Sequence, residues 1–468
     1  EQKEEEKTRR RVVGGAFSSS FFRILLPHGT FTHDDDDDDD EFDDAKKTPF
    51  GRMNEPQQHR EDDATMMVRT TTVEQMREEI TSRENPKKQT QSLVALAALA
   101  LRVKLDERFV AVVGAILDAL DGATTTTLTT TTRVVKVVSD DDDDDIDDDV
   151  NDVNAKNKND DDDDKEGVAA AALAALSCVV GTVDGATKEM LKENNRGIGI
   201  VLKAIDAAMK EKKRTRVVNG LDCLAWTCRE KECARVVATN TEDGKRVVEE
   251  ARRMCDVEYV KEKFFSQTTT TKNTCTKNTK RSHESDDGKE EEEEMRVRYR
   301  RQEDAVRPKQ IVAGAFELFV ALSVSEAEKM TTEYESLDVF SSAIKRVGGG
   351  DKANAPLAKD EEDALLERFK IEGRANPTEE LERVKQHEIH EVASRALIGI
   401  SCCCKCPGTA AKLCSDELLV RKIAQFMTSS DPSVKHQASA LFAAIARAPE
   451  CKPLVEKALR GARDLASA

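Results

Sequence analysis

Ala95-Leu96-Ala97-Ala98-Leu99 reads small residue, leucine, two variable residues, apolar residue. The same order returns at Ala172-Leu173-Ala174-Ala175-Leu176, Gly220-Leu221-Asp222-Cys223-Leu224 and Ala396-Leu397-Ile398-Gly399-Ile400. It returns once more at Leu441-Phe442-Ala443-Ala444-Ile445, with larger residues in the first two places. When helices stack, each buries one stripe against the next, so small residues at fixed positions let the backbones approach while leucines fill the seam. No stretch sustains the period-2 alternation of a half-buried strand, so the pattern predicts an all-α fold.

Leu173 and Leu221 lie 48 positions apart, and Leu397 and Phe442 lie 45 apart, against about 40–47 for armadillo and HEAT units. The repeats resemble armadillo units and imply a right-handed superhelix of stacked helices. Leu96 and Leu173 are separated by 77 positions. Most of Gly122 to Gly167 is threonine or aspartate, so one repeat plus a solvated loop placed between helices accounts for the excess.

Of the 468 residues, 38% are hydrophobic but only 4% aromatic, with a single Trp, which suits Ala/Leu helix packing better than a β-sandwich. A formal charge of −18 disfavours a nucleic-acid partner, because phosphate contacts need a basic surface. Twelve cysteines scattered through leucine-rich helical patterns form no disulfide framework and fit a reducing cytosolic or nuclear setting, of which the cytoplasmic one is expected. The longest apolar stretch, Val168 to Val180, falls short of the ~18–20 residues that span a bilayer, so no membrane role is expected.

Four regions follow from these patterns. Residues 1–90, with the run Asp34 to Asp40, read as a disordered acidic segment. Residues 91–265 read as helical repeats interrupted by a low-complexity loop at 123–166, whose like charges and threonines leave it solvated and without core. Residues 266–305 read as a charged linker, and residues 306–468 as a second block of repeats. In that block Asp431 caps a helix that begins at Pro432, buries Val434, Ala438, Leu441, Phe442 and Ile445, and turns Lys435 and His436 outward.

Little chemistry is visible. Cys402, Cys403, Cys404, Cys406 and Cys414, with His387 and His390 upstream, offer enough donors for zinc, but neighbouring helical cysteines diverge and their spacing suits helix-end and core thiols. Cys223, Cys228 and Cys233 advance about 500° per step around a helix and read as packing residues. Gly197-Ile198-Gly199 and Gly348-Gly349-Gly350 lack the remainder of a nucleotide-binding motif and read as turns. The aspartate runs lack the glycine and glutamate of a calcium loop. Lys210, Lys212, Lys213, Arg214 and Arg216 form a basic cluster that reads as a polar inter-helix turn, with a nuclear localisation signal or an acidic docking patch as the alternative. No catalytic set, metal site or cofactor site emerges, so the expectation is a binding protein rather than an enzyme.

Armadillo proteins such as importin alpha grip extended basic peptides through asparagines two residues after the signature leucine. Here those places hold Ala98, Ala175, Cys223, Gly399 and Ala444, none of which donates a side-chain amide. A nearer resemblance is to the UCS myosin chaperones. Arg216 to Trp226 (RVVNGLDCLAW) with Cys233 to Val237 (CARVV) is similar to that family's aromatic-led repeat and succeeding helix. Lys359 to Phe369 (KDEEDALLERF) with Glu372-Gly373 looks like the acidic entry to its C-terminal repeats, and the succession from Val392-Ala393-Ser394-Arg395-Ala396-Leu397 through Leu418-Leu419-Val420 to Val434-Lys435-His436-Gln437-Ala438 matches in order. The resemblance implies a co-chaperone that holds a client such as a myosin motor domain, with a heat-shock chaperone as a further partner. Asn219, Cys223, Arg395, Gly399 and Ala444 are then the candidate partner-binding residues. The alternative is an armadillo scaffold or adaptor in signalling or nucleocytoplasmic transport.

The register carries a direct test. Leu397→Ala or Phe442→Ala is expected to destabilise the protein by about 2–5 kcal/mol through the cavity left behind, while Lys435→Ala stays within about 0.5 kcal/mol. Thermal or urea melts of the three variants check this, and three matching melts would refute the register.

Overall fold

The computed structural model describes residues 73–82, 85–102, 105, 107–134, 149–266, 303, 306–347, 359–371, 376–449, 451–457 and 460. Every regular element among them is helical and no strand occurs, so the all-α expectation holds. The chain divides between Ala186 and Thr187 into two compact units.

The first unit contains α1 (73–81), α2 (Pro86–Arg102), a short 3₁₀ turn at Glu107–Phe109, α3 (Val110–Val134) and α4 (Asp149–Thr182). Helix α2 packs on α4 and the signature leucines Leu96 and Leu173 are fully buried; α3 also packs on α4, with Ile116 and Leu120 fully buried. Between Val168 and Val180, α4 is buried on every side, as a helix apolar all round must be. Its Lys165–Thr182 stretch is long and apolar enough to cross a membrane by length and composition, but 78% of it lies inside the unit, where α2 and α3 supply the apolar surroundings.

Two boundaries differ from those the sequence predicts. Helix begins at residue 73 rather than near 91, because α1 needs only Val73 and Ile80 to face inward, and two contacts in nine residues make no visible periodicity. Polar bonds seat it: Gln89 donates to the Ile80 carbonyl at 2.5 Å and Ser92 to the Glu79 carboxylate at 2.6 Å. Helix also enters the low-complexity insertion from both sides. Ala123, Thr124 and Glu166 are buried, so the stretch 123–166 does contribute core at its ends. Thr124 and Thr125 return their hydroxyls to the carbonyls of Leu120 and Asp121 at 2.9 and 2.7 Å, which lets threonine continue a helix it would not start. Residues 135–148, the Asp34–Asp40 run and nearly all of 266–305 lie outside the described residues.

The second unit opens within α5 (Ala186–Glu211), which breaks at Lys192 and resumes after Glu193, Asn194 and Asn195 take left-handed backbone angles of +50°, +58° and +66° in φ. Gly197-Ile198-Gly199, expected as a turn, is helical, since the turn falls one step earlier at the asparagines, which tolerate that geometry. The basic cluster does occupy the turn into α6 (Arg214–Thr227). Arg216 is buried there, bonded to Glu211 at 3.1 Å and the Ala204 carbonyl at 3.2 Å, and Arg214 lies 3.5 Å from Glu303.

Three successive triplets follow, each a short helix, a middle helix and a long one. The first is α7 (Lys231–Arg235, extended by a π turn to Asn240), α8 (Glu242–Met254) and, after α9 (Val257–Val260), α10 (Pro308–Ser325). The second is α11 (Ala327–Thr332), α12 (Ser336–Arg346) and, after α13 (Lys359–Ile371), α14 (Pro377–Cys403). The third is α15 (Thr409–Cys414), α16 (Glu417–Phe426) and α17 (Pro432–Ile445), followed by α18 (452–457). The long helices α6, α10, α14 and α17 pack one on the next in that order. Caps fix where they start. Asp431 accepts from Ser433 and Val434 N–H, both at 2.9 Å, with Pro432 in the first helical position as the sequence predicts. Asp416 accepts from Leu419 N–H at 3.1 Å, and Thr241 from Gly244 N–H at 2.9 Å.

Close approach depends on particular glycines. A Cβ on Gly399 would stand 2.4 Å from the Phe340 ring, which itself meets Phe316 edge-on at 5.4 Å between ring centres. A Cβ on Gly199 meets nothing within 4 Å. Gly399→Ala is therefore expected to destabilise by about 1–3 kcal/mol through overpacking, and Gly199→Ala to stabilise by about 0.4–1 kcal/mol through reduced chain entropy. Denaturant melts that moved the same way in both variants would contradict the packing described.

Candidate partner-binding ladder of long helices

The faces of the long helices that are not committed to the hydrophobic seam carry a row of polar and charged groups. On α6, Asn219, Asp222 and Trp226 stand three and four residues apart, so they share one face, and each is half-buried. The turn after α6 brings the Arg229 guanidinium over the Trp226 ring at 3.3 Å from its centre, a contact favourable to both because the ring face is electron-rich. Helix α10 contributes Glu317, only 8% exposed, and α14 contributes Glu391 and Arg395 one helical turn apart. The Arg395 Nη2 group donates to Glu391 Oε1 at 2.5 Å and also to Glu317 Oε1, tying α10 to α14.

The electrostatics follow from burial. Loss of water pushes the Glu317 carboxyl up to about 7, against the pull of Arg395 and Arg229 and with added repulsion from Asp222 and Glu391. Burial also pushes Arg229 down to about 10, against the carboxylates of Glu317 and Asp222. Four groups on three helices, with Arg229 in the turn after α6, thus form one array of mixed sign. Two polar contacts carry the row from α14 towards α17: Ser394 and Ser433 hydroxyls lie 3.4 Å apart, and His390 Nε2 lies 3.4 Å from Ser429 Oγ.

His390 also borders a cleft of about 230 Å³ with Val347, Ile389, Lys422, Phe426 and Ser429. No Ser/His/Asp set is expected from the sequence, yet Ser429, His390 and Asp431 meet here. Asp431 Oδ2 is 3.9 Å from His390 Nδ1, beyond hydrogen-bond length, and Oδ1 caps α17. Ser429 Oγ accepts from the Asp431 N–H at 3.2 Å. These are the contacts of a helix-start turn.

The candidate residues divide. Asn219 and Ala444 lie half-buried on long helices, and Arg395 is at the centre of the row but buried, its guanidinium engaged by Glu317 and Glu391. Cys223 and Gly399 do not belong to it. Cys223 is fully buried, and Gly399 sits beneath the Phe340 ring, so neither reaches a partner. The sequence reading missed Asp222, Arg229, Glu317 and Glu391. Glu317 carried a signal: a carboxylate in the run Phe316-Glu317-Leu318-Phe319 must be buried, and a buried carboxylate requires cationic partners.

No family model matches the chain, and no curated protein matches it. Among solved structures it is similar to two engineered proteins, Northeast Structural Genomics Consortium targets OR366 and OR497. The first is 10% identical with a TM-score of 0.41, over 80% of this chain and 98% of that one. The second is 14% identical with a TM-score of 0.39, over 84% of this chain and 71% of that one. Similarity at that level carries neither family nor function.

A Glu317 pKa above its unfolded value means that the folded state holds the proton more tightly, so this group's contribution to stability falls as pH rises from about 4.5 to 7 and is level above. Glu317→Gln removes that dependence. Its stability relative to the parent is expected to rise across the window, with a slope of at most ~1.4 kcal/mol per pH unit, as measured by urea melts at pH 5, 6, 7 and 8. A constant difference between the two proteins would show that Glu317 does not titrate there.

Proposed function

We propose that this chain is a protein-binding co-chaperone that holds a partly folded client, such as a myosin motor domain, along the row of long helices α6, α10, α14 and α17. The observation that carries the reading is the continuity of that row, with Trp226 and Arg229 at one end and paired charges along it. An amphipathic aromatic beside a guanidinium is the composition that dominates protein interfaces. The segments that resemble the UCS family support it by their placement: Arg216 to Trp226 forms most of α6, Val392 to Leu397 lies in α14, and Val434 to Ala438 in α17. A heat-shock chaperone is the second partner in this reading, the setting is cytoplasmic, and nucleic acid, membrane, metal and cofactor play no part.

The test heats a myosin motor fragment with the purified protein and follows light scattering, while a basic localisation peptide is titrated in parallel. Suppressed scattering is expected, and Trp226→Ala is expected to weaken it several-fold while circular dichroism stays helical. Undiminished scattering together with tight peptide binding would overturn the co-chaperone in favour of a transport adaptor.

A further inference from the structure

The end of α14 carries Cys402, Cys403 and Cys404, and Cys406 follows at once, so Cys403 and Cys406 are the ends of a Cys-x-x-Cys unit. Residues 403–406 make a tight turn, in which the Cys406 N–H donates to the Cys403 carbonyl at 2.9 Å and Cys404 holds φ −67° and ψ −7°. A turn closed in this way keeps its first and fourth Cα atoms within ~7 Å, and a disulfide spans about 4.4–6.8 Å between Cα atoms. The side chains also converge. Cys406 Sγ lies 3.8 Å from Thr331 Oγ1, and Cys403, whose Sγ is 3.2 Å from Ser336 Oγ, has the same Thr331 hydroxyl within hydrogen-bonding reach. Both thiols are free, Cys403 fully buried and Cys406 half-exposed.

We propose that Cys403 and Cys406 are a reversible thiol–disulfide pair, oxidised by hydroperoxides, that alters how α14 seats on the preceding repeat. The half-exposed Cys406 reacts first. Its thiolate sulfur attacks the peroxide, the O–O bond breaks, and Cys406 becomes a sulfenic acid as the other oxygen leaves protonated. Cys403 sulfur then attacks that sulfenyl sulfur, the S–S bond forms, and the hydroxyl departs as water with the Cys403 proton. Two electrons pass from two thiols to one peroxide. Cys403 is buried and Cys406 half-exposed, so peroxide reaches Cys406 first and Cys403 attacks the sulfenic acid already beside it. Closing the bond to about 2.05 Å draws both sulfurs from their present partners, Thr331 on α11 and Ser336 at the start of α12. Helix α12 holds Phe340 against Gly399, so oxidation works on the contact that seats α14.

The full chain is treated with a small excess of hydrogen peroxide, alkylated and digested with trypsin. Cleavage after Arg395, Lys405 and Lys412 separates the two cysteines, so the disulfide joins peptide 396–405 to peptide 406–412, with fragmentation locating the link at Cys403. That linked pair should vanish with dithiothreitol and in Cys406→Ser, and persist in Cys451→Ser. The oxidised protein should melt a few degrees below oxidant-treated Cys406→Ser. Alkylated thiols throughout, sulfinic acid at Cys406 without a linked pair, or a link through Cys402, Cys404 or Cys451 would overturn the pair. An unchanged melting temperature would overturn its coupling to α11 and α12.

Discussion

The pairing of Glu317 with Arg395 governs how the long helices meet. Both helices bury apolar residues, Leu318 and Phe319 on α10 and Ala396 and Leu397 on α14, and a slide of one turn along an apolar seam would exchange one such neighbour for another. The ion pair has no second solution. Moving α14 by a turn would take Arg395 from Glu317 and leave two opposite charges desolvated, a loss of about 3–5 kcal/mol. Glu391 moves with Arg395 because both belong to α14, so it cannot correct the error. The pair thereby fixes the register of α14 on α10, while Phe340 against Gly399 limits the approach of α12 to α14, and the two constraints fall on α14 one turn apart.

The cost of burying Glu317 is spread by its surroundings. Arg229 lies within range of it and is itself held over Trp226, so a guanidinium that would otherwise need water is satisfied by a ring face and two carboxylates. Shortening any member would be felt by the others, because groups in one low-dielectric array are not independent. The end of α6 is tied to α14 through α10 by charge as well as by packing.

The sequence displays what periodicity can display. Leu96, Leu173, Leu221, Leu397 and Phe442 are all buried where the signature puts them, and Asp431 with Pro432 opens its helix as expected. What it hides has physical causes. Helix α1 is too short to repeat a pattern. Threonine and aspartate have poor helix propensity, so nothing local announces that α3 continues to Val134 or that α4 starts at Asp149; backbone bonding propagated from the buried parts of those helices carries them through. The charged row was hidden for a different reason. Asp222, Glu317 and Arg395 come from three helices about 80–95 positions apart, and only the packing order of α6, α10 and α14 brings them together. Cys223 and Gly399 were assigned outward because the signature gives a period but not the angle at which each long helix rolls against its middle helix.

The same geometry bears on what kind of partner the row suits. A groove for extended basic peptides needs carboxylates or amides that are available to the peptide. Here Glu317 and Glu391 are already engaged by Arg395, and Arg229 draws on Asp222 as well as Glu317. A cationic partner would have to displace an internal guanidinium and leave it buried without its counter-charge, which costs more than a surface ion pair returns. An apolar or aromatic segment asks for no such exchange, since it can lie on the half-buried Trp226 and the stem of Arg229 with the charge pairs intact. The net charge of −18 acts at long range, while along the row itself opposite charges are already paired.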